Sequence, residues 1–254
     1  EDLYDNSMGA TIGDVNNDGK FDIMFTSTSI SESDFKDISK IAFAAGLILN
    51  FRGNHLYMNL GGRRFEDKTE HAGVRESGWG WGAFFFDFDN DGDLDILNGN
   101  GMDDPETTDD DWAINQPMRL YVNQGEEEGY RFTEEGKLRR IASTEENRAT
   151  IAWDYDQDGD LDVFVINHAA RPQLFRNDGG NYYDFLRVKV YGAHGSESIG
   201  ALVTVQVYQD DVEERLVREI GSSAAFLGEG ERLAHFGLGK LPLNTLIHKV
   251  NVTW

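Results

Sequence analysis

The sequence predicts an all-β chain: repeated four-stranded units, then a small β-sandwich-like domain, with one helical insertion among the repeats. Three observations predict it. The 254 residues include 28 glycines but only 4 prolines, a balance that favours many tight turns. Short alternating apolar and polar runs, rich in β-branched and aromatic side chains, recur along the chain, as half-buried strands do. An aspartate-rich loop also occurs three times, opening at Asp14, Asp87 and Asp154 and so repeating after 73 and 67 residues.

The loops come first in each unit and share one chemistry. Oxygen-bearing side chains stand at positions 1, 3, 5 and 9, with glycine at position 6. These are Asp14, Asn16, Asp18 and Asp22; Asp87, Asp89, Asp91 and Asp95; and Asp154, Asp156, Asp158 and Asp162. So much like charge on a short loop repels unless a cation sits within it. Calcium takes about six to eight oxygens at about 2.3–2.6 Å, and a main-chain carbonyl at position 7 supplies a further one. That position is Lys20, Asp93 or Asp160. Only its carbonyl is needed, so a lysine with its side chain pointing outwards is compatible. The expectation is three calcium ions, one per loop, with the first loop weakest because it offers fewer carboxylates.

EF-hands open similarly but need a bidentate glutamate at position 12 and a helix on each side. Position 12 here is Phe25, Asn98 or Val165, and the preceding runs are "MGATIG", "WGAFFF" and "ATIAW". These read as strands, so each loop closes a β-hairpin.

A second element follows each loop: "HLYMNLGGRRFEDKTEHAGV" from His55, "RLYVNQGEEEGYRFTEEGKL" from Arg119 and "QLFRNDGGNYY" from Gln173. Each is a strand and an Asn-containing glycine turn, and the first two add a further strand. A loop plus this element makes a unit of roughly 60–70 residues, the size of a propeller blade. Between loop and second element lie insertions. Residues 33–51 place Phe35, Ile38, Ala42, Ala45 and Leu49 at helical spacing with Ser33 as a cap. This segment is expected to be a helix that either packs against its own propeller or docks on a protein partner or on further blades of the same chain. Residues 101–117 are acidic and without period, and read as a solvated loop or, alternatively, as a site for a basic partner or an extra cation. After about residue 181 the runs "FLRVKVYG", "ALVTVQVYQ", "RLVREIG" and "HKVNVTW" alternate without aspartate loops.

On these motifs, residues 8–180 resemble the FG-GAP (VCBS-type) repeat proteins, whose blades also build the propeller of integrin α subunits. The last third is similar to the ASPIC/UnbV domain, on "SIGALVTVQV" from Ser198, "REIGSS" from Arg218 and "LAHFGLGKL" from Leu233. That domain occurs behind such repeats in the cartilage acidic protein family and its bacterial relatives. The resemblance implies calcium-loop blades over residues 1–180 and an ASPIC/UnbV-like β domain over 181–254. Propellers have at least about four blades, so the three read here are expected to be part of a larger propeller. The opening "EDLYDN" and the closing "NVTW" are read as the ends of a partial or mature chain.

Composition narrows the function. A net charge of −23 argues against nucleic acid or an anionic membrane as partner. The absence of cysteine excludes disulfides, thiolate catalysis and zinc–cysteine sites. No apolar run reaches the roughly 18 residues of a transmembrane helix. The six histidines show no paired metal spacing, and "GSS" and "HGSES" lack the Gly-x-Ser-x-Gly of a nucleophile elbow. His235 is expected to pack or cap a turn, and Trp79, Trp81 and Trp153 to pack in the core. Asn251 opens an N-x-Thr sequon. The sequence thus points to a non-enzymatic, extracellular or periplasmic module whose structural calcium supports protein–protein or adhesive contacts. The alternatives are a fragment of a larger assembly and the scaffold part of a secreted polysaccharide-active or hydrolytic enzyme.

Overall fold

The structure is a computed structural model and describes residues 7–29, 52–102, 115–209, 212–221, 226–240 and 247–254. The proposed helical insertion at 33–51 and most of the acidic 101–117 loop lie outside the described residues.

Two four-stranded antiparallel meanders come first. One holds β1 (Gly9–Gly13), β2 (Asp22–Thr26), β3 (His55–Gly61) and β4 (Arg64–Asp67), in that spatial order. The next holds β5 (Gly82–Phe86), β6 (Asp95–Gly99), β7 (Arg119–Asn123) and β8 (Phe132–Glu134), also in sequence order. A single turn of helix, α1 (Thr69–Ala72), ends on Gly73 in the left-handed conformation and leads from one meander to the other. The third sheet has three strands, β9 (Asn147–Trp153), β10 (Asp162–Asn167) and β11 (Gln173–Phe175). Its missing fourth strand agrees with the shortened second element "QLFRNDGGNYY". Every aspartate loop joins the first strand of its sheet to the second, with the position-9 aspartate opening the second strand.

The three sheets stack face to face, as blades do. Alternation along β5 makes this visible. Ala83 and Phe85 join Met24 and Leu56 of the first meander, and Val74 just after α1, in one core. Phe84 and Phe86 join Leu161, Val163 and Val165 of the third sheet in another. Since successive strand residues face opposite sides, a sheet covered on both faces needs apolar residues at both parities. That explains the unbroken "GAFFF" and the burial of all five residues of β5. The first strands meet at the narrow side, where β1 approaches β5 so closely that a Cβ on Gly9 would lie 2.9 Å from the Cα of Gly82.

Beyond the third sheet the chain forms two smaller sheets. β12 (Phe185–Val188) pairs with β15 (Ala234–Gly237), and β13 (Leu202–Gln209) lies between β14 (Val212–Glu219) and β16 (Ile247–Thr253). They enclose a third core of Val203, Val205, Leu216, Ile220, Ala234 and Phe236. The fold is all-β. One expectation needs correction: Trp79, Trp81 and Trp153 are half-buried rather than in the core. Each carries a polar indole N–H, and that of Trp81 donates to the Gly101 carbonyl at 2.6 Å while Arg148 covers its ring.

Candidate metal centres

Backbone conformation shapes each loop identically. The glycine at position 6 is left-handed, with φ of 83° at Gly19, 100° at Gly92 and 102° at Gly159. Position 4 is left-handed too, at Asn17, Asn90 and Gln157, where asparagine is favoured over most other non-glycine residues.

The position-9 aspartates brace the loops. Asp22, Asp95 and Asp162 are fully or almost fully buried. One oxygen of each accepts the backbone N–H of position 2, from Val15 at 3.0 Å, Phe88 at 2.7 Å and Tyr155 at 3.0 Å. The other accepts an N–H from the third strand or the turn that follows it, from Asn59 and Asn123 at 2.8 Å and Asn177 at 2.9 Å. Those three asparagines belong to the recurring glycine turns, and their side chains reach back to loop carbonyls. Asn123 Nδ2 donates to Leu94 of its own loop and to Val15 of the loop before. Asn177 Nδ2 likewise bonds Leu161 and Phe88. The repeated Asn was visible in the sequence, but its role between blades was not.

Positions 1, 3 and 9 converge in two loops. Carboxylate oxygens of Asp87, Asp89 and Asp95 lie within 4.8 Å of one another, as do those of Asp154, Asp156 and Asp162. Two oxygens on one calcium at about 2.3–2.6 Å each are at most about 5 Å apart, so both clusters match a single ion. In the second loop, Asp87 Oδ1 and Asp89 Oδ1 are buried with no hydrogen-bond partner among the described residues. A buried carboxylate oxygen without a donor is costly, and a cation is the group this donor set fits.

The charges record the same strain. Burial, reinforced by neighbouring aspartates, pushes Asp87 up to about 7 and Asp91 up to about 8. Asp89 and Asp95 are raised for the same first cause, desolvation. In the first loop burial lifts Asp14 to about 6 and Asp22 to about 7. In the third it lifts Asp160 to about 7 and raises Asp162.

The remaining candidates are placed differently. Asp91 and Asp158 stand outside the two three-carboxylate clusters. Asp158 accepts Asn181 Nδ2 at 2.7 Å. Among position-7 side chains, Asp93 Oδ1 accepts Asn17 Nδ2 at 2.7 Å and Asp160 Oδ2 accepts the Asn181 N–H at 3.2 Å. The first loop departs most. Lys20 does not simply point outwards: its Nζ donates to Asp18 Oδ2 at 2.6 Å and its N–H to Asp18 Oδ1 at 2.9 Å. Asp14 accepts the N–H groups of Asp18 and Gly19, and Asn16 Oδ1 lies 3.4 Å from the Asp18 nitrogen. Among the described residues, Asp14, Asp18 and Asp22 form no three-carboxylate cluster.

The C-terminal sheets supply partners that aspartate spacing could not reveal. Arg187 Nη1 donates to Asp154 Oδ2 at 2.9 Å. The Gly237 N–H donates to Asp87 Oδ2 at 2.9 Å, and Arg218 Nη2 donates to the Gly92 carbonyl at 3.0 Å. His235 Nε2 bonds Asn90 Oδ1 at 2.7 Å. Burial, with Arg187 and Arg218 nearby, pushes that imidazole down to about 3, so it is neutral and packs a turn as expected.

Stacked antiparallel blades with an acidic loop between their first two strands define a β-propeller-like repeat module carrying candidate cation sites. Residues 42–98 match the family model of the FG-GAP-like repeat, and residues 192–254 match that of ASPIC and UnbV. The chain therefore carries an FG-GAP-like repeat and a C-terminal ASPIC/UnbV domain. No curated protein matches it. FG-GAP-like repeats are often calcium-binding and typically extracellular, and both kinds of module are generally non-catalytic. No helix among the described residues is long and apolar enough to cross a membrane.

Proposed function

We propose that this chain is part of an extracytoplasmic β-propeller module in which calcium is structural and the assembled surface serves protein–protein or adhesive contacts. Residues 1–180 supply the blades and 181–254 the ASPIC/UnbV domain. The observation that carries the calcium reading is the second loop, where two buried carboxylate oxygens lack donors beside a third buried aspartate. Three ions are proposed. Asp14, Asn16, Asp18 and Asp22 hold the first, Asp87, Asp89, Asp91 and Asp95 the second, and Asp154, Asp156, Asp158 and Asp162 the third. The carbonyls of Lys20, Asp93 and Asp160 complete the shells. Extracellular calcium modules bind at about 10⁻⁴–10⁻³ M, so near-millimolar calcium keeps such loops filled.

Titration calorimetry of the metal-stripped protein tests this, with magnesium as the control. Saturable calcium binding that Asp89→Asn reduces supports the proposal. Equal binding of both ions, or none, contradicts it, because these loops supply many oxygens without the strict octahedron that magnesium demands. The contact surface is proposed to include residues 33–51. Phe43→Asp with Leu47→Asp should abolish association in sedimentation while calcium binding persists, and unfolding by those substitutions would reject the docking role.

A further inference from the structure

The contacts between the C-terminal sheets and the aspartate loops are selective in a way that bears on the ions. In the second and third loops they reach the first aspartate through its Oδ2 atom only. At Asp87 that oxygen takes the Gly237 N–H at 2.9 Å together with the loop's own Gly92 N–H at 3.1 Å, while Oδ1 has no donor. At Asp154 it takes Arg187 Nη1 at 2.9 Å, and Oδ1 accepts only the Asp158 N–H of its own loop at 3.0 Å. A donor on one carboxylate oxygen fixes the group's rotation and leaves the other oxygen aimed. Such outer partners of metal ligands orient them and set affinity.

The fit around these bonds is close. A Cβ on Gly237 would lie 2.3 Å from the Asn90 backbone and 2.4 Å from Asp87 Oδ2. The Phe185 ring lies so near the third loop that a Cβ on Gly159 would come within 2.0 Å of it. The Gly239 N–H bonds the Asn90 carbonyl at 2.8 Å. Arg218 is buried between the first two loops. It bonds the Gly92 carbonyl and stands 3.9 Å from Asp87 Oδ2, and Asp14 lies within its field. With the domain seated, Asp87 is only 2% exposed.

We propose that the ASPIC/UnbV domain is a calcium-dependent clasp. Its strand β15 and Arg187 complete the second and third loops, so that ion binding and seating of the domain favour each other. The proposal rests on the calcium reading above. Seating the domain on a metal-free loop buries carboxylates that repel one another, whereas an ion offsets that charge. Conversely, lifting the domain removes the Gly237 and Arg187 donors and leaves Asp87 and Asp154 to the weaker hold of their own loops' N–H groups. Whatever free energy the ion adds to seating, seating must add to ion binding. The sign follows from the donors. The Gly237 N–H carries no net charge to compete with a cation, Arg218 spends its Nη2 hydrogen bond on the Gly92 carbonyl and stays 3.9 Å from Asp87 Oδ2, and Arg187 is itself held by Glu231 at 2.8 Å on both carboxylate oxygens.

The test combines calcium titration calorimetry with hydrogen–deuterium exchange on the whole chain. In the wild type, chelation should raise exchange at Gly237 and Gly239, whose N–H groups bond the second loop, while the β12–β15 ladder and the β13–β14 hairpin stay protected, marking release rather than unfolding. Gly237→Ala should weaken one calcium step by about 10–100-fold and raise exchange at Gly239 even with calcium present. Arg187→Gln, which inserts nothing into the interface, should weaken a different step and covers the event that Gly237→Ala misfolds. Wild-type calcium affinities in both variants, or exchange at Gly237 and Gly239 that ignores chelation, would overturn the clasp while leaving the calcium reading standing. A wild-type chain that binds no calcium would overturn both.

Discussion

Asp89 and Asp95 lie in the same loop and within reach of the same ion, yet they do different work. Asp95 is a brace, whose two oxygens take the N–H groups of Phe88 and Asn123. Asp89 presents a buried oxygen with no donor. Asp95→Ala would orphan two buried N–H groups at about 1–3 kcal/mol each, so it should destabilise the protein with or without calcium. Asp89→Asn removes an uncompensated charge. It should weaken calcium binding and raise the melting temperature of the metal-free protein. Urea unfolding of both variants in chelator checks the contrast. The sequence made the ligands legible as a set but could not show which of them also brace the fold, because that depends on strand residues 28 and 37 positions away.

The same carboxylates set a pH dependence. Asp14, Asp22, Asp87 and Asp91 have folded-state values of about 6, 7, 7 and 8 against an ordinary 3.8. A raised value means the folded state holds the proton more tightly, so this stability is fully present below about pH 4 and lost as pH rises through 6 to 8. Metal-stripped protein should therefore melt at lower temperature at pH 8 than at pH 5. The stabilisation gained on adding calcium should grow over the same interval, since the ion requires the ionised form. Thermal scans at both pH values, with and without calcium, check the sign.

Among the elements, the blades owe their stacking to both faces of β5 and to side chains that cross between loops. Asn123 ties the second blade to the first through the Val15 carbonyl, whereas Asn59 Nδ2, among the described residues, bonds only Phe21 within its own blade. Asn123→Ala should therefore cost more than Asn59→Ala, by about 1 kcal/mol for the extra bond, as measured by denaturant unfolding in calcium. Strands were legible here because alternation and loop spacing are local signals. The missing fourth strand of the third sheet was legible for the same reason. The half-buried tryptophans were not, since burial at a sheet end depends on neighbours far away in sequence. Arg187, Arg218 and Gly237 escaped for a similar reason. Two of them sit inside stretches that carried the family resemblance, "REIGSS" and "LAHFGLGKL", but nothing local says that these face an aspartate loop.

For the whole molecule, the loops should differ in order of filling. Lys20 occupies Asp18 in the first loop, and the ion must displace or tolerate that ammonium. The first loop should empty first on calcium dilution, Asp14→Ala should remove the weakest binding step, and Lys20→Ala should strengthen it. Loss of a stronger step in Asp14→Ala would contradict this order.

The central claim is that calcium staples this protein, and the melting temperature at pH 8 tests it most directly. A site holding calcium at about 10 times its dissociation constant, as millimolar calcium does over a constant of about 10⁻⁴ M, adds about 1.4 kcal/mol, and for a chain of this size each kcal/mol moves the midpoint by about 2–4 °C. With two or more loops filled, excess chelator should lower the midpoint by about 6 °C or more, and restored calcium should recover it. A midpoint that chelation leaves unchanged would contradict the account.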